Sequence, residues 1–254
     1  MNVRRWITAV TKRFTFSCLA SLALGCSGTS EQFFIVQNQV PIEGCFVPGN
    51  NTGIYRGAGV YDVGIVQANT GTRYELFPLL QNDLPAGSQP RGTDPNRLLL
   101  QEFHVQLVPG KDAPHALVDF LAASALAPDL TYSEPWYGSW SGFVEPGGGQ
   151  LPAGGVAVVP ENLAQQLNAS GLFDTYARLP LVAKVRAVGS TLSETIQSRE
   201  FDYPISVCRY CLVASHPPCP HAPKATGNPC NVAQDDPVDC CSEGTNLVCP
   251  SWGP

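Results

Sequence analysis

Residues 101–107, Gln-Glu-Phe-His-Val-Gln-Leu, alternate polar and apolar side chains at every second position. Successive side chains of a β-strand point to opposite faces of the sheet, so Phe103, Val105 and Leu107 are predicted to enter a core. His104 and its polar neighbours then face water. The stretch therefore predicts one strand of a half-buried sheet.

Two later stretches have the same period of two. Residues 181–187 (LVAKVRA) place Lys184 and Arg186 on the polar face, and residues 201–207 (FDYPISV) alternate in the same way. A polar linker separates them, so we expect an antiparallel pair with a long connection. The full set of predicted strands is 33–40, 60–67, 73–80, 97–109, 136–145, 154–159, 179–188 and 199–208.

Helical signals are few. Residues 160–168 (PENLAQQLN) begin with proline and glutamate and place Leu163 and Leu167 one turn apart, which predicts a short helix. Residues 114–127 are compatible with a helix or a strand, and the alternation around Val118 favours a strand.

The composition agrees with a β-rich secreted protein. The chain has 24 glycines, 23 prolines and only 14% charged residues, which suits many short strands joined by turns. We therefore predict an all-β fold, an immunoglobulin-like β-sandwich over residues 33–207 with one short helix. The stretches 33–109 and 130–207 are each long enough to form one of two similar halves.

The amino-acid composition of the chain changes at residue 208. Residues 208–254 are rich in cysteine and proline without apolar periodicity, and so short a segment needs disulfides to hold it. Its seven cysteines are an odd number, so one must pair outside the tail. We expect Cys45 to bond Cys208 or Cys211 and to fasten the tail to the sandwich. The predicted disulfide cysteines are Cys45, Cys208, Cys211, Cys219, Cys230, Cys240, Cys241 and Cys249.

The first 25 residues have the pattern of an export signal. Basic residues between Arg4 and Arg13 precede an apolar run at 14–25, which is too short to cross a bilayer, where about 20 residues are needed. Ala23-Leu24-Gly25-Cys26 then resembles the lipobox of bacterial lipoproteins.

That resemblance implies that the signal 1–25 is removed and that lipid is attached to Cys26. Residues 26–32 would form a short tether to the membrane of the cell envelope, and Ser27 favours the outer membrane. Loss of Cys18 and lipidation of Cys26 leave an even number of cysteines for bridges. Ordinary secretion, with Cys26 as a disulfide partner, is the alternative.

The whole chain also resembles the cysteine-rich lipoproteins of gliding soil bacteria. The resemblance rests on the lipobox, the sandwich texture, the C-x-x-C pair at 208–211 and the adjacent cysteines at 240–241. It implies no particular activity.

The charge of the chain argues against nucleic acid as a partner. The formal net charge is −6, and the predicted mature part holds three lysines, at positions 111, 184 and 224. Binding to phosphates requires clustered Lys or Arg.

The densest aromatic patch is Trp136, Tyr137 and Trp140. Exposed aromatic side chains can stack on sugars or anchor an envelope protein. Since Trp136 and Trp140 share one strand face, the alternative is a pair that packs against the sheet.

Two clusters offer metal ligands, but the sequence favours a structural role for each. Cys208, Cys211, Cys219 and His221 offer zinc ligands, but their spacing is irregular and export favours disulfides. The acidic stretch 235–241 (DDPVDCC) offers oxygen ligands for calcium, but it lacks an EF-hand frame.

No residue is nominated as a nucleophile, and no catalytic residue or cofactor is predicted. The leading expectation is a non-enzymatic, lipid-anchored envelope protein with a binding or structural role. The alternatives are a secreted sugar-binding or sugar-processing module that uses Trp136, Tyr137 and Trp140, and a zinc- or calcium-binding envelope protein.

Overall fold

The computed structural model describes residues 31–47, 54–65, 73–87, 94–127, 130–132, 134–219, 227–244 and 246–249. The predicted signal, most of the tether, Cys26 and His221 lie outside the described residues. In chain order the described strands are β1 (Phe33–Asn38), β2 (Gly59–Asp62), β3 (Tyr74–Leu76), β4 (Pro78–Asn82), β5 (Leu98–Pro109), β6 (Ala125–Ala127), β7 (Leu130–Thr131), β8 (Trp136–Val144), β9 (Gly149–Pro152), β10 (Val156–Val159), β11 (Arg178–Ser190), β12 (Thr195–Gln197), β13 (Phe201–Cys208), β14 (Val213–Ser215), β15 (Val238–Asp239), β16 (Cys241–Glu243) and β17 (Asn246–Val248). The helices are α1 (His115–Ala123), α2 (Glu161–Ala169) and a 3₁₀ turn at Leu172–Asp174.

A six-stranded sheet forms the larger layer, in the order β2-β13-β11-β5-β8, with β12 also paired to β11. β5 is a long inner strand of this sheet and pairs antiparallel with β11 and β8. Phe103, Val105 and Leu107 are buried on its inner face, as their alternation predicts. The predicted antiparallel pair of β11 and β13 is also confirmed, with Leu181 opposite Ile205.

The smaller layer consists of the sheet β1-β4-β9 and the pair β3-β10. Phe33, Leu80 and Tyr74 from this layer belong to the same hydrophobic core as Phe103 and Val185 of the larger sheet. The fold is therefore all-β and sandwich-like, as predicted. Strands from the stretches 33–109 and 130–207 pair directly with one another, since β5 lies between β8 and β11.

The helix α2 confirms the prediction made for 160–168. The strand favoured for 114–127 is wrong over most of its length, because α1 occupies residues 115–123. Leu117 and Leu121, one helical turn apart, are both buried, whereas Val118 is 41% exposed. A strand would place Asp119 on the same face as these two leucines, whereas the helix leaves Asp119 exposed while both leucines enter the core.

The cysteine-rich tail packs on the sandwich. Its strands form the pairs β14-β15 and β16-β17, and Val232, Ala233 and Val238 join the common core. The tail backbone reaches β2, where the Asp62 N–H donates to the Ala233 carbonyl at 2.8 Å. Among the described residues, no helix is both long and apolar enough to cross a membrane.

Candidate functional site

The eight predicted disulfide cysteines form four bonds. The pairs are Cys45–Cys230, Cys208–Cys211, Cys219–Cys241 and Cys240–Cys249. One tail cysteine does bond to Cys45, as predicted. That cysteine is Cys230, so the prediction of Cys208 or Cys211 as its partner is wrong. Cys208 and Cys211 close on each other instead.

The position of Cys230 follows from how the tail returns over β2 and β3. The Asn231 side-chain amide donates to the Arg73 carbonyl, and the Glu75 N–H donates to Gln234 Oε1 at 3.0 Å. These contacts hold the segment after Cys230 against the sandwich. Sequence order alone places Cys208 at the end of a strand and gives no sign of this return.

The acidic stretch does not converge on one point. The Asp235 carboxylate is directed into the sandwich, where it accepts a hydrogen bond from the Tyr74 hydroxyl. Asp236 pairs with Arg56 at 2.8 Å, and Asp239 accepts a hydrogen bond from the Ser215 hydroxyl. The carboxylates considered for calcium are therefore engaged by protein groups, and Arg56 pairs with both Asp235 and Asp236.

The residues considered for zinc are likewise separated. Cys208 and Cys211 are bonded to each other and Cys219 is bonded to Cys241. An Asp62 carboxylate oxygen and the sulfur atoms of Cys208 and Cys211 do lie within 4.8 Å of one another. Both sulfur atoms are bonded to each other in a disulfide, however, so neither is available as a thiolate ligand for a metal.

The aromatic patch is divided between the two faces of β8. Trp136 and Trp140 are half-buried on the inner face and pack against the core. Tyr137 is 64% exposed on the outer face, where its ring meets that of His104 edge-on at 4.5 Å. The three residues predicted as one ligand patch thus form two surfaces.

The two tryptophans line an open cavity of about 340 Å³, which we call the aromatic cleft. It lies between residues of β5, β8 and β10. The residues that line it are Arg73, Phe103, Val105, Trp136, Tyr137, Gly138, Ser139, Trp140, Gly155, Val156, Ala157 and Pro160.

Gly138 keeps the middle of the aromatic cleft open. It lies between Trp136 and Trp140 on the same face of β8, and a Cβ placed there would meet no atom within 4 Å. Trp140 is positioned by Gly154, because a Cβ at that residue would come within 2.5 Å of the indole ring.

Charged groups lie beside the aromatic cleft. Arg73, which lines it, pairs with Glu75 at 2.6 Å between Nε and Oε1. The Glu75 carboxyl group lies against Gly155, where an added Cβ would approach it to 2.7 Å. The cleft therefore combines aromatic faces with the Arg73 guanidinium, and the Glu75 carboxylate lies next to it against Gly155. Such polar groups are suited to fixing the orientation of a ligand.

The outer face of the larger sheet carries a separate cluster of polar and charged side chains. His104 Nε2 lies 2.8 Å from Glu102 Oε1, and its Nδ1 lies 3.3 Å from Gln197 Nε2. Lys184 and Arg186 also lie on this outer face, as predicted, and both pair with Glu200. These ion pairs lower the pKa of the Glu200 carboxyl group. The charges on this face are thus largely matched among themselves.

Local sequence patterns do not identify all the residues that complete the aromatic cleft. Gly138 lies between the two tryptophans in the sequence, and its spacing on the strand was a readable signal. Arg73 and Gly155 are distant in the chain, and no local pattern connects them with β8.

No protein-family model, curated protein or solved structure matches the chain.

Proposed function

We propose that the chain is an exported, lipid-anchored protein of the bacterial cell envelope with a non-catalytic binding role. The observation that supports this proposal is the pairing of all eight cysteines from Cys45 onward. Disulfides persist in oxidising compartments and are rare in the cytosol. Lipid at Cys26 and the tether 26–32 would hold the sandwich near the membrane surface.

The intact mass of protein extracted from envelope membranes tests this assignment. We expect cleavage before Cys26, acyl chains on that residue and the mass deficit of four disulfides. Cys26→Ala should move the protein to the soluble fraction, whereas Cys18→Ala, within the predicted signal, should leave it in the membrane. Free thiols throughout, or an unmodified Cys26, would contradict the proposal.

The ligand of this binding role is a carbohydrate, and its site is the aromatic cleft. Trp136 and Trp140 are four residues apart on one strand face, a separation of about 13 Å along the strand. Indole faces supply apolar area for sugar rings, while Arg73 and Glu75 supply a hydrogen-bond donor and an acceptor for hydroxyl groups. The open space at Gly138 between the tryptophans favours this role over simple packing.

A glycan array with the folded protein tests the sugar assignment. Trp140→Ala should abolish binding, and Gly138→Leu should do the same by filling the cleft without a backbone clash. Phe143→Ala is the matched control, because Phe143 is exposed on the outer face of the same strand and does not line the cleft. Silence across a broad array, or loss of binding only with Phe143→Ala, would contradict a sugar site in the cleft.

A further inference from the structure

One disulfide differs from the other three in its setting. Cys208 and Cys211 close a loop of four residues, 208–211, directly after β13. Cys208 is fully buried, whereas Cys211 is accessible to solvent. A thiol in solution can therefore approach one sulfur atom of this bond while the other is shielded.

This bond also stabilises the folded state least in the chain-entropy account of disulfides. That stabilisation grows with the length of the closed loop, and the sequence separations of the four pairs are 3, 9, 22 and 185. Opening the shortest loop should therefore lower the stability of the folded state least among the four.

The backbone of the loop is held by Asp62 independently of the disulfide. One Asp62 carboxylate oxygen accepts the Tyr210 N–H at 2.6 Å and the Gly64 N–H at 3.0 Å, and the other accepts the Leu212 N–H at 2.8 Å. Asp62 is itself fully buried. These charge-assisted bonds remain when the sulfur–sulfur bond opens.

The side chain of Arg209 fixes the loop from a second direction. Its Nε donates to Asn168 Oδ1 at 3.0 Å, and its Nη1 donates to Asp174 Oδ1 at 3.2 Å. The guanidinium also lies 5.4 Å from the centre of the Phe173 ring. Both residues between the two cysteines are thus anchored by groups other than sulfur.

A cavity of about 360 Å³ lies beside the loop. It is lined by Tyr210 and Val213, which flank Cys211, together with His216 and Leu247. These largely apolar walls can receive a side chain of a partner whose thiol approaches Cys211.

We propose that Cys208–Cys211 is a redox-active disulfide that exchanges with a dithiol partner, with the Cys211 sulfur as the atom attacked. A partner thiolate bonds to Cys211 Sγ, the Cys208–Cys211 bond breaks, and its electron pair and a proton pass to Cys208 Sγ. The second thiolate of the partner then attacks the mixed disulfide and releases Cys211 as a thiol. The partner is oxidised to a disulfide, and the protein gains two electrons and two protons.

Graded reduction of the full-length protein tests the proposal. The protein is titrated with dithiothreitol under native conditions, quenched in acid, alkylated and mapped by mass spectrometry. We expect Cys208 and Cys211 to be alkylated first, with unchanged near-UV circular dichroism, and the bond to re-form with oxidised dithiothreitol.

The pair Cys45–Cys230 is the internal control, because Cys45 is also exposed. If exposure alone decided the order, both bonds would open together; we expect Cys208–Cys211 to open roughly tenfold faster. With limiting glutathione as the probe, the mixed disulfide should map to Cys211. Equal opening rates, glutathione on Cys208, or loss of the tertiary signal as the pair opens would each overturn the proposal.

Discussion

The hydroxyl group of Tyr74 lies 3.0 Å from both carboxylate oxygens of Asp235, a residue 161 positions later in the chain. Asp235 adopts a left-handed backbone conformation, with φ of 65°, which accompanies the inward turn of its carboxylate. Tyr203 Oη lies 3.2 Å from Tyr74 Oη, and Arg56 pairs with Asp235 at 3.7 Å. The tail is therefore joined to the sandwich by a buried polar network as well as by sulfur.

The first prediction concerns the Tyr74 hydroxyl. Tyr74→Phe should lower the free energy of unfolding by about 1–3 kcal/mol, because buried Asp235 loses a donor that it cannot replace with water. Urea denaturation measures the change. Tyr137→Phe, at an exposed ring, is the control and should be nearly neutral. An unchanged midpoint for Tyr74→Phe would show that the network contributes nothing to stability.

The second prediction uses a pair of neighbouring glycines. A Cβ at Gly59 would lie 1.9 Å from Tyr74 Oη, whereas one at Gly57 would meet nothing within 4 Å. Gly59→Ala should therefore displace Tyr74 from Asp235 and cost about 1–3 kcal/mol through overpacking. Gly57→Ala should be tolerated. Thermal denaturation of the two variants compares them, and equal melting temperatures would rule out the close approach of β2 to Tyr74.

The third prediction compares two disulfides. Replacing both Cys45 and Cys230 with serine should cost about 5 kcal/mol, since the loop between them is the longest of the four. Replacing Cys208 and Cys211 should cost about 2 kcal/mol by the same account. Guanidinium unfolding gives both values. The reverse order of stability would contradict the chain-entropy explanation.

The fourth prediction is a pH dependence. Burial raises the pKa of the Asp235 carboxyl above its ordinary value of 3.8, despite the opposing contacts with Val60 N–H, Arg56 and Tyr74. The native state then keeps a proton that the unfolded state has released, so this group's contribution to stability falls as pH rises through the window above 3.8. Above the native pKa it stays constant.

Asp235→Asn isolates this contribution. The stability of the wild type relative to the variant should be greatest below pH 3.8 and should decline as the pH rises from there. Equilibrium unfolding of both proteins between pH 3 and 7 measures the difference. Burial also raises the pKa of Asp62, but Asp62 is present in both proteins and so does not affect the comparison. A relative stability that increases with pH would contradict the assigned direction.

Local patterns in the sequence predicted the strands of the larger sheet well. The alternation around Phe103 is a property of neighbouring residues, and burial on one face follows from it directly. The helix at 115–123 was missed because its short apolar run suits two periods, and only packing of Leu117 and Leu121 against the core selects one.

The candidate site was predicted only in part, for a physical reason. Trp136 and Trp140 share a face because of their own spacing, so their partnership was readable. Arg73 enters the aromatic cleft through strand pairing that the local sequence does not encode. The choice of Cys230 for Cys45 depends in the same way on the return of the tail over β2.

The bond between Cys45 and Cys230 makes the chain between them a covalent ring. A protease that cuts one surface turn within this ring opens it but releases no fragment, because the two pieces stay joined through sulfur. If lipid at Cys26 holds the N-terminus, as we propose, both pieces would also remain at the membrane. A nick in this protein would thus be invisible on a non-reducing gel and would separate into two bands only after reduction.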